Sequence, residues 1–348
     1  MVKTRPQHLT SSTEPAMISH SLVCGFPDAS ILDECLSVQP AAAGSDIVGG
    51  VRCRSLWLRL LQSPAFNAVA ICRPQARHHC VGFGASVFVS CNFAMKERTR
   101  PRPGLNARLM AAVDAGEGVV LTAQELARGN AEGTLSLLIL YSAWRRDGLC
   151  DGELEQIKAM LASTFFEVHL GYGMKEWLSE ATDATQISYA HDTAVWSVGP
   201  FEDPDSARAF LYVDRDTACR RVGSIAAILF QPRMPIFGLS CRSQELLRQA
   251  LRGQTDEELA GRLKISTAAV KKRWIRIFED VERRVPSFAS AAPLGDSVRG
   301  PQRRHRLLAY IREHPEELRA FASSEAFQGV VRGRRSDAFD RLMNRSQQ

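Results

Sequence analysis

Apolar positions between Leu239 and Arg284 fall into three short runs at helical spacing. Leu246, Leu247, Ala250 and Leu251 make the first, Leu259, Ala260 and Leu263 the second, and Val270, Trp274, Ile277 and Val281 the third. The residues between them read as stops and starts. Gly253 ends the first run, because a residue without Cβ takes the left-handed turn at a helix C-terminus. Thr255 and Glu258 form a capping box that opens a second helix at Asp256. Ser266 caps a third helix, an interaction worth about 1 kcal/mol over alanine. Lys271, Lys272, Arg273 and Arg276 stand opposite the third apolar stripe and give that helix a cationic outer face.

Upstream, the pattern changes character. Leu56, Trp57, Leu60 and Leu61, with Arg52, Arg54 and Arg59 between them, predict an amphipathic helix over Val51–Gln62, stopped by Pro64. Ala68–Ile71 predicts a short strand. Val81, Phe83, Ala85, Val87, Val89 and Cys91 alternate with Gly82, Gly84, Ser86 and Ser90, the clearest period of two in the chain. Lys96–Pro103 reads as a basic loop, Asn106–Val113 as a helix and Val119–Leu121 as a strand. Thr122 and Glu125 form a second capping box. Leu135–Tyr141 is continuously apolar and predicts a buried central strand. Gly152 to Glu180 reads as a long helix bent at Gly171 and Gly173, Asp203-Pro204-Asp205 starts another, and Ile225–Phe230 fits helix or strand.

The order of these elements predicts an α+β chain. An N-terminal α/β sensor-like domain with a mixed sheet is followed by an all-α helix-turn-helix domain and a helical C-terminal extension. The expected boundaries are an irregular segment over 1–48, with a short helix near Ser30–Leu36, and a sensor or dimerisation domain over 49–230. A linker over 231–238 leads to the helix-turn-helix over 239–285. A second linker over 286–300, the extension over 301–322 and a disordered tail over 323–348 complete the chain.

The stretch from Leu239 resembles the helix-turn-helix of LuxR-type (NarL/GerE-type) bacterial transcription regulators. Leu239-Ser240, Arg242, Glu245-Leu246-Leu247, Gly253, Thr255, Glu257-Glu258-Leu259-Ala260, Leu263, Ile265-Ser266, Val270-Lys271 and Ile277 carry the likeness. Ser243 replaces the usual Glu, Ala269 the usual Thr, Lys272-Arg273 a common Asn-His pair, and Ile275 occupies a further base-contacting position. The resemblance implies that the helix from Thr267 enters a DNA major groove. Lys271, Lys272 and Arg273 would meet base edges and phosphates, and Ser266, Thr267 and Arg276 the backbone. The family closes this unit with a short fourth helix. Here the extension over Arg303–Phe321 is expected to pack back in its place, with Leu307, Leu308, Ile311 and Leu318 inward.

Charge supports this division of labour. The net charge of +6 is concentrated at the C-terminal end: residues 1–238 hold 22 Lys+Arg against 24 Asp+Glu, and residues 239–348 hold 22 against 14. An anionic polymer is therefore expected to meet the C-terminal third. Apolar runs are too short to span a membrane. Nine cysteines without regular spacing point to reduced thiols in a cytoplasm.

Other candidate chemistry is sparse. His78-His79-Cys80 with Cys72 and Cys91 lacks the close ligand pairs of a tetrahedral metal site, and Cys91 is expected on the apolar strand face. Gly82-Phe83-Gly84 lies inside a strand, with His79 three residues before Gly82 where acetyltransferases show Gln or Arg. His191-Asp192, Glu167-His169 and the tryptophans Trp144, Trp177 and Trp196 are isolated, yet remain the best residues for a small-molecule pocket.

The resulting expectation is a cytoplasmic regulator, nucleoid-associated when bound to DNA, without catalysis, cofactor or metal. Its partners would be double-stranded DNA, RNA polymerase, a second copy of itself and an unidentified small molecule, with no membrane. Two alternatives remain. One is an acyltransferase-like enzyme domain fused to a DNA-binding module, distinguished by acetyl-coenzyme A binding. The other is a sigma-like helix-turn-helix used for protein contact.

Overall fold

The computed structural model of the chain describes residues 22–38, 51–73, 79–145, 147–182, 184–192, 196–201, 208–220, 225–286, 288 and 300–322. Its centre is a seven-stranded sheet in the order β1-β2-β3-β4-β5-β7-β6. The strands are β1 (Val23–Gly25), β2 (Phe66–Cys72), β3 (Cys80–Val89), β4 (Leu135–Trp144), β5 (Met174–Ala181), β6 (Ser197–Pro200) and β7 (Ala209–Asp214). Neighbours pair antiparallel except β4 and β5, which are parallel. The fold is therefore α+β with a mixed sheet.

Helices cover both faces of the sheet. On one lie α1 (Leu32–Ser37), α2 (Val51–Leu61), α3 (Cys91–Thr99) and α4 (Leu105–Asp114), around a core in which Trp57 meets Phe66, Phe83 and Tyr141 with ring centroids 5.7–6.0 Å apart. After α5 (Ala123–Glu132), the crossover helix α6 (Asp151–His169) packs on the other face. The glycines of β3 belong to this packing. A Cβ built on Gly82 would lie 2.8 Å from the Ile157 side chain of α6, so helix and strand approach closely only because that atom is missing.

Several expected elements differ from those observed. The segment read as the end of a long helix is strand β5. Gly173 leaves no room for a side chain, its built Cβ falling 2.5 Å from the Asn130 carbonyl oxygen, and its N–H donates to Asn130 Oδ1 at 2.6 Å. Lys96 belongs to α3 rather than to a loop, because Ser90 caps that helix by accepting from the Phe93 N–H. Cys91 thus begins a helix and is exposed, instead of facing the strand core. Val119–Leu121 contributes a single bridge, Val89 to Val120. Residues 22–38 join the sheet and core through β1 and α1. Asp203-Pro204-Asp205, the 323–348 tail and most of the 286–300 linker lie outside the described residues. After α7 (Ala184–Asp192) and α8 (Arg215–Arg220), Ile225–Phe230 is a helix, α9.

The C-terminal unit comprises α10 (Cys241–Ala250), α11 (Asp256–Leu263), α12 (Thr267–Arg284) and α13 (Gly300–Glu313), with a 3₁₀ turn at Pro315–Leu318. Ser240, Thr255 and Ser266 cap α10, α11 and α12. Leu307, Ile311 and Leu318 are buried in the same core as Val270, Trp274 and Ile277, so α13 packs back on α10–α12. Arg304 of α13 reaches Asp256 with two bonds of 2.9 and 3.1 Å, which spends its charge inside the protein.

The segment after α13 ties this unit to the sheet domain. The Glu317 carboxylate accepts from Ile236 N–H at 2.7 Å and Phe237 N–H at 2.9 Å, and Arg248 donates to the Leu318 carbonyl. On the other side Arg319 donates to the carbonyls of Leu170 and Glu167 at the end of α6, and Asn130 donates to the Ala320 carbonyl. No helix among the described residues is long and apolar enough to cross a membrane.

Candidate functional site

The best-defined irregularity in the sheet lies on β4. Ala85 of β3 pairs with Tyr141, but the next residue, Ser86, pairs with Ile139, so Leu140 is an extra residue on β4. Such a bulge bends its strand and increases the local twist. The parallel ladder with β5 stops at the same level, its last pair being Ile139 with Ser179. From Leu140 to Trp144, β4 follows β3 alone and parts from β5. Leu140 and Tyr141, though adjacent, both point into the core beneath α2 and α4. Ser142 is exposed.

The N-terminus of α4 lines this gap. Asn106 Nδ2 donates to the Leu140 carbonyl at 2.6 Å, while Asn106 Oδ1 is buried with no partner among the described residues. Tyr141 lies against it, and burial pushes its phenol up to about 12. Glu180 of β5 accepts from the N–H groups of Gly104 and Leu105 and pairs with Arg208 at 3.1 Å. Four residues earlier on the same strand face, Glu176 accepts from Ser136 at 2.6 Å and pairs with Arg98 at 3.0 Å. Both carboxylates are saturated by donors and hold the walls in place. A strand edge released from its neighbour can take an extended amide-bearing chain by ladder hydrogen bonds. A phenol kept protonated can deliver a proton to a leaving group.

The sequence-predicted residues lie elsewhere. Ser266, Thr267, Lys271, Lys272 and Arg276 are exposed at α12, Arg273 is half-buried, and Ile275 is 58% exposed among them. The Ser266 hydroxyl already accepts from the Ala269 N–H. His169 is not a pocket residue but a core one: Nδ1 donates to the Phe165 carbonyl at 2.7 Å and Nε2 accepts from Ser86 at 2.9 Å. Glu167 beside it is exposed. Trp177 stacks on Phe230 at 4.6 Å and neighbours Trp196, whereas Trp144 packs against α6 and lies under Lys158. Cys72 and Cys80 face each other across β2 and β3; His78 lies outside the described residues. Among the described residues no group of three or more ligand side chains could hold a metal. The gap at Leu140 has no signature in the sequence. Arg145 stands three residues before Gly148 at the strand-to-helix joint that follows β4.

No family model and no curated protein matches the chain. Similar solved structures include an aminoglycoside 6'-acetyltransferase type Ii, at 9% identity and a TM-score of 0.32, covering 55% of this chain and 96% of that one. A mosquito arylalkylamine N-acetyltransferase like 5b is 12% identical at a TM-score of 0.33, covering 55% and 98%. An N-acyl amino acid synthase from uncultured soil microbes is 6% identical at 0.30, covering 56% and 92%. These findings correct the expectation of a LuxR-type transcription regulator without catalysis, since the similar proteins are acyltransferases by name. The location of a site on this chain rests on its own strand register.

Proposed function

We propose that the sheet domain is an acyltransferase and that the gap between β4 and β5 is where an acyl thioester is held. The observation that carries this reading is the coincidence of the Leu140 bulge with the end of the β4–β5 ladder. The free edge of β4 from Tyr141 to Ala143 would hold the donor's amide-bearing arm in extended form. The acceptor's nucleophile would then form a bond to the acyl carbon while the carbon–sulfur bond breaks. The departing thiolate takes a proton, a role we assign to the Tyr141 phenol, which burial keeps protonated; the acceptor's proton leaves to solvent, since Glu176 and Glu180 are engaged.

The reading is tested by mixing the full chain with acyl thioesters and a panel of amines and following thiol release. Saturable binding in the micromolar range, about −8 kcal/mol, with turnover is expected. Tyr141→Phe should lower turnover by about 10²-fold if the phenol is the proton donor, with binding retained. Thiol release no faster than in buffer across the panel would dismiss the assignment.

For the C-terminal unit, the resemblance to LuxR-type modules and the exposed lysines of α12 support double-stranded DNA as a partner of the fused enzyme. Replacing Lys271, Lys272 and Arg273 together by alanine should weaken duplex binding. For every phosphate no longer neutralised, the dependence of log K on log salt should flatten by about 0.9. A folded triple variant that binds duplexes with the original affinity and salt slope would remove DNA from the reading.

A further inference from the structure

The cysteines at the head of the β2–β3 hairpin form a group that acyl transfer does not use. Cys72 ends β2, Cys80 begins β3, and the two are direct partners in the antiparallel ladder. A bulge makes them so. Ile71 pairs with Gly82 and the next residue, Cys72, with Cys80, which leaves Val81 as an extra residue on β3. Val81 accordingly packs towards Ile157 of α6, while Cys80 turns to the opposite core, where Cys72 abuts it. Directly opposed residues of an antiparallel pair have Cα atoms about 4.5–5.5 Å apart. A disulfide needs about 4.4–6.8 Å. Cys35 of α1 completes a row of thiols, hydrogen-bonded from Cys35 to Cys80 and from Cys80 to Cys72.

The row has one entrance. Cys35 and Cys80 are fully buried, and Cys72 is half-buried. Among the described residues no other two cysteines are direct strand partners. The Cys80 thiol is pushed up to about 12, first by its hydrogen bond with Cys35, and the Cys72 thiol is raised by its bond with Cys80 and then by burial. Thiolate is the form that attacks a disulfide, so exchange at this pair is slow and answers a sustained change of redox poise. The Cys80 carbonyl accepts from Arg145 Nε at 2.9 Å, so a covalent link at Cys80 would stiffen β3 beside the end of β4.

We infer that Cys72 and Cys80 are a reversible disulfide site, oxidised by a low-molecular-weight disulfide and entered through Cys72. The Cys72 sulfur attacks the small disulfide, whose S–S bond breaks, and the departing thiolate takes the Cys72 proton. Cys80 then attacks the mixed disulfide at the Cys72 sulfur and expels the second small thiol, which takes the Cys80 proton. Two protein thiols lose two electrons and the small disulfide gains them. The test equilibrates the full chain in buffers of graded glutathione to glutathione disulfide ratio until the populations stop changing. After acid quench, denaturation and alkylation, peptide mapping should find Cys72 joined to Cys80, with alkylation of the two falling together as the ratio becomes oxidising. Dithiothreitol should restore both. In Cys80→Ser, Cys72 should end as a mixed disulfide with glutathione; in Cys72→Ser, Cys80 should stay free. Three results in the unaltered chain overturn the inference, whether or not either variant folds: both cysteines still alkylated at the most oxidising ratio, Cys72 found only as the mixed disulfide, or Cys80 joined to Cys35 instead.

Discussion

Replacing Trp274 by alanine is expected to destabilise the C-terminal unit by about 3–5 kcal/mol, the range for removing a buried large aromatic side chain. Trp274 is 3% exposed and belongs to the core that α11, α12 and α13 share. Its ring stacks on Phe278 at 5.9 Å and lies 4.7 Å beneath the Arg304 guanidinium, which is itself held by Asp256. Alanine would therefore leave a cavity and also strip the aromatic face from a half-buried cation. Phenylalanine separates these effects from simple loss of the indole. Trp274 Nε1 is buried without a partner among the described residues, so removing that N–H gives back its desolvation cost. Trp274→Phe should cost less than about 1.5 kcal/mol. Chemical denaturation of the three proteins, followed by circular dichroism, reads the difference. Equal midpoints for Trp274→Ala and the unaltered chain would mean that this core does not hold α12 in place.

The consequence would reach the sheet domain, because the two bodies share the segment after α13. Glu317 is fully buried, and its two N–H partners lie in the linker before α10, about eighty residues earlier in the chain. Arg319 ends on carbonyls at the end of α6. Loss of the C-terminal core would release both grips. That arrangement could not be read from the sequence, where Glu316-Glu317 looks like an ordinary solvated helix start.

The same contrast between near and distant partners explains which other parts were legible. Caps at Thr122, Thr255 and Ser266 and the apolar stripe of α12 depend on residues within a few turns, and the structure shows them where the spacing put them. Strand β5 was hidden because Glu176 and Glu180 interrupt its apolar pattern, and they are buried only because Arg98 and Arg208 arrive from other elements. The Leu140 bulge is a property of pairing between β3 and β4, so Leu135–Tyr141 read correctly as a strand yet gave no sign of its bend. His169 looked isolated for the same reason: Ser86 is its partner across 83 positions of sequence. The gap that carries the proposed function is thus a product of register, and register was the least visible quantity in the chain.

Stability should fall steeply as pH drops from 6.5 towards 3, and His169 is the main cause. Burial pushes its imidazolium from an ordinary 6.5 down to about 3, against a smaller upward pull from the Phe165 carbonyl. The neutral ring fits its site: one nitrogen donates to that carbonyl and the other accepts from Ser86. Protonation would place an unpaired charge in the core, turn the Ser86 hydroxyl from donor to acceptor, and set that charge against the field of the Arg319 guanidinium. The sign follows from proton counts. Between the two values the unfolded chain binds a proton that the folded chain refuses, so stability is complete above 6.5 and is lost with acid. Within the window each unit of pH removes up to about 1.4 kcal/mol. The interval from 6.5 to about 5 isolates this group, because the carboxyls of Glu125, Glu153 and Asp214 are held below their ordinary values and stay ionised there. His169→Gln, which cannot take up a proton, should lose the slope over that interval even though it melts lower at neutral pH. A denaturation midpoint that keeps its full pH slope in His169→Gln would show that some other group governs the acid limb.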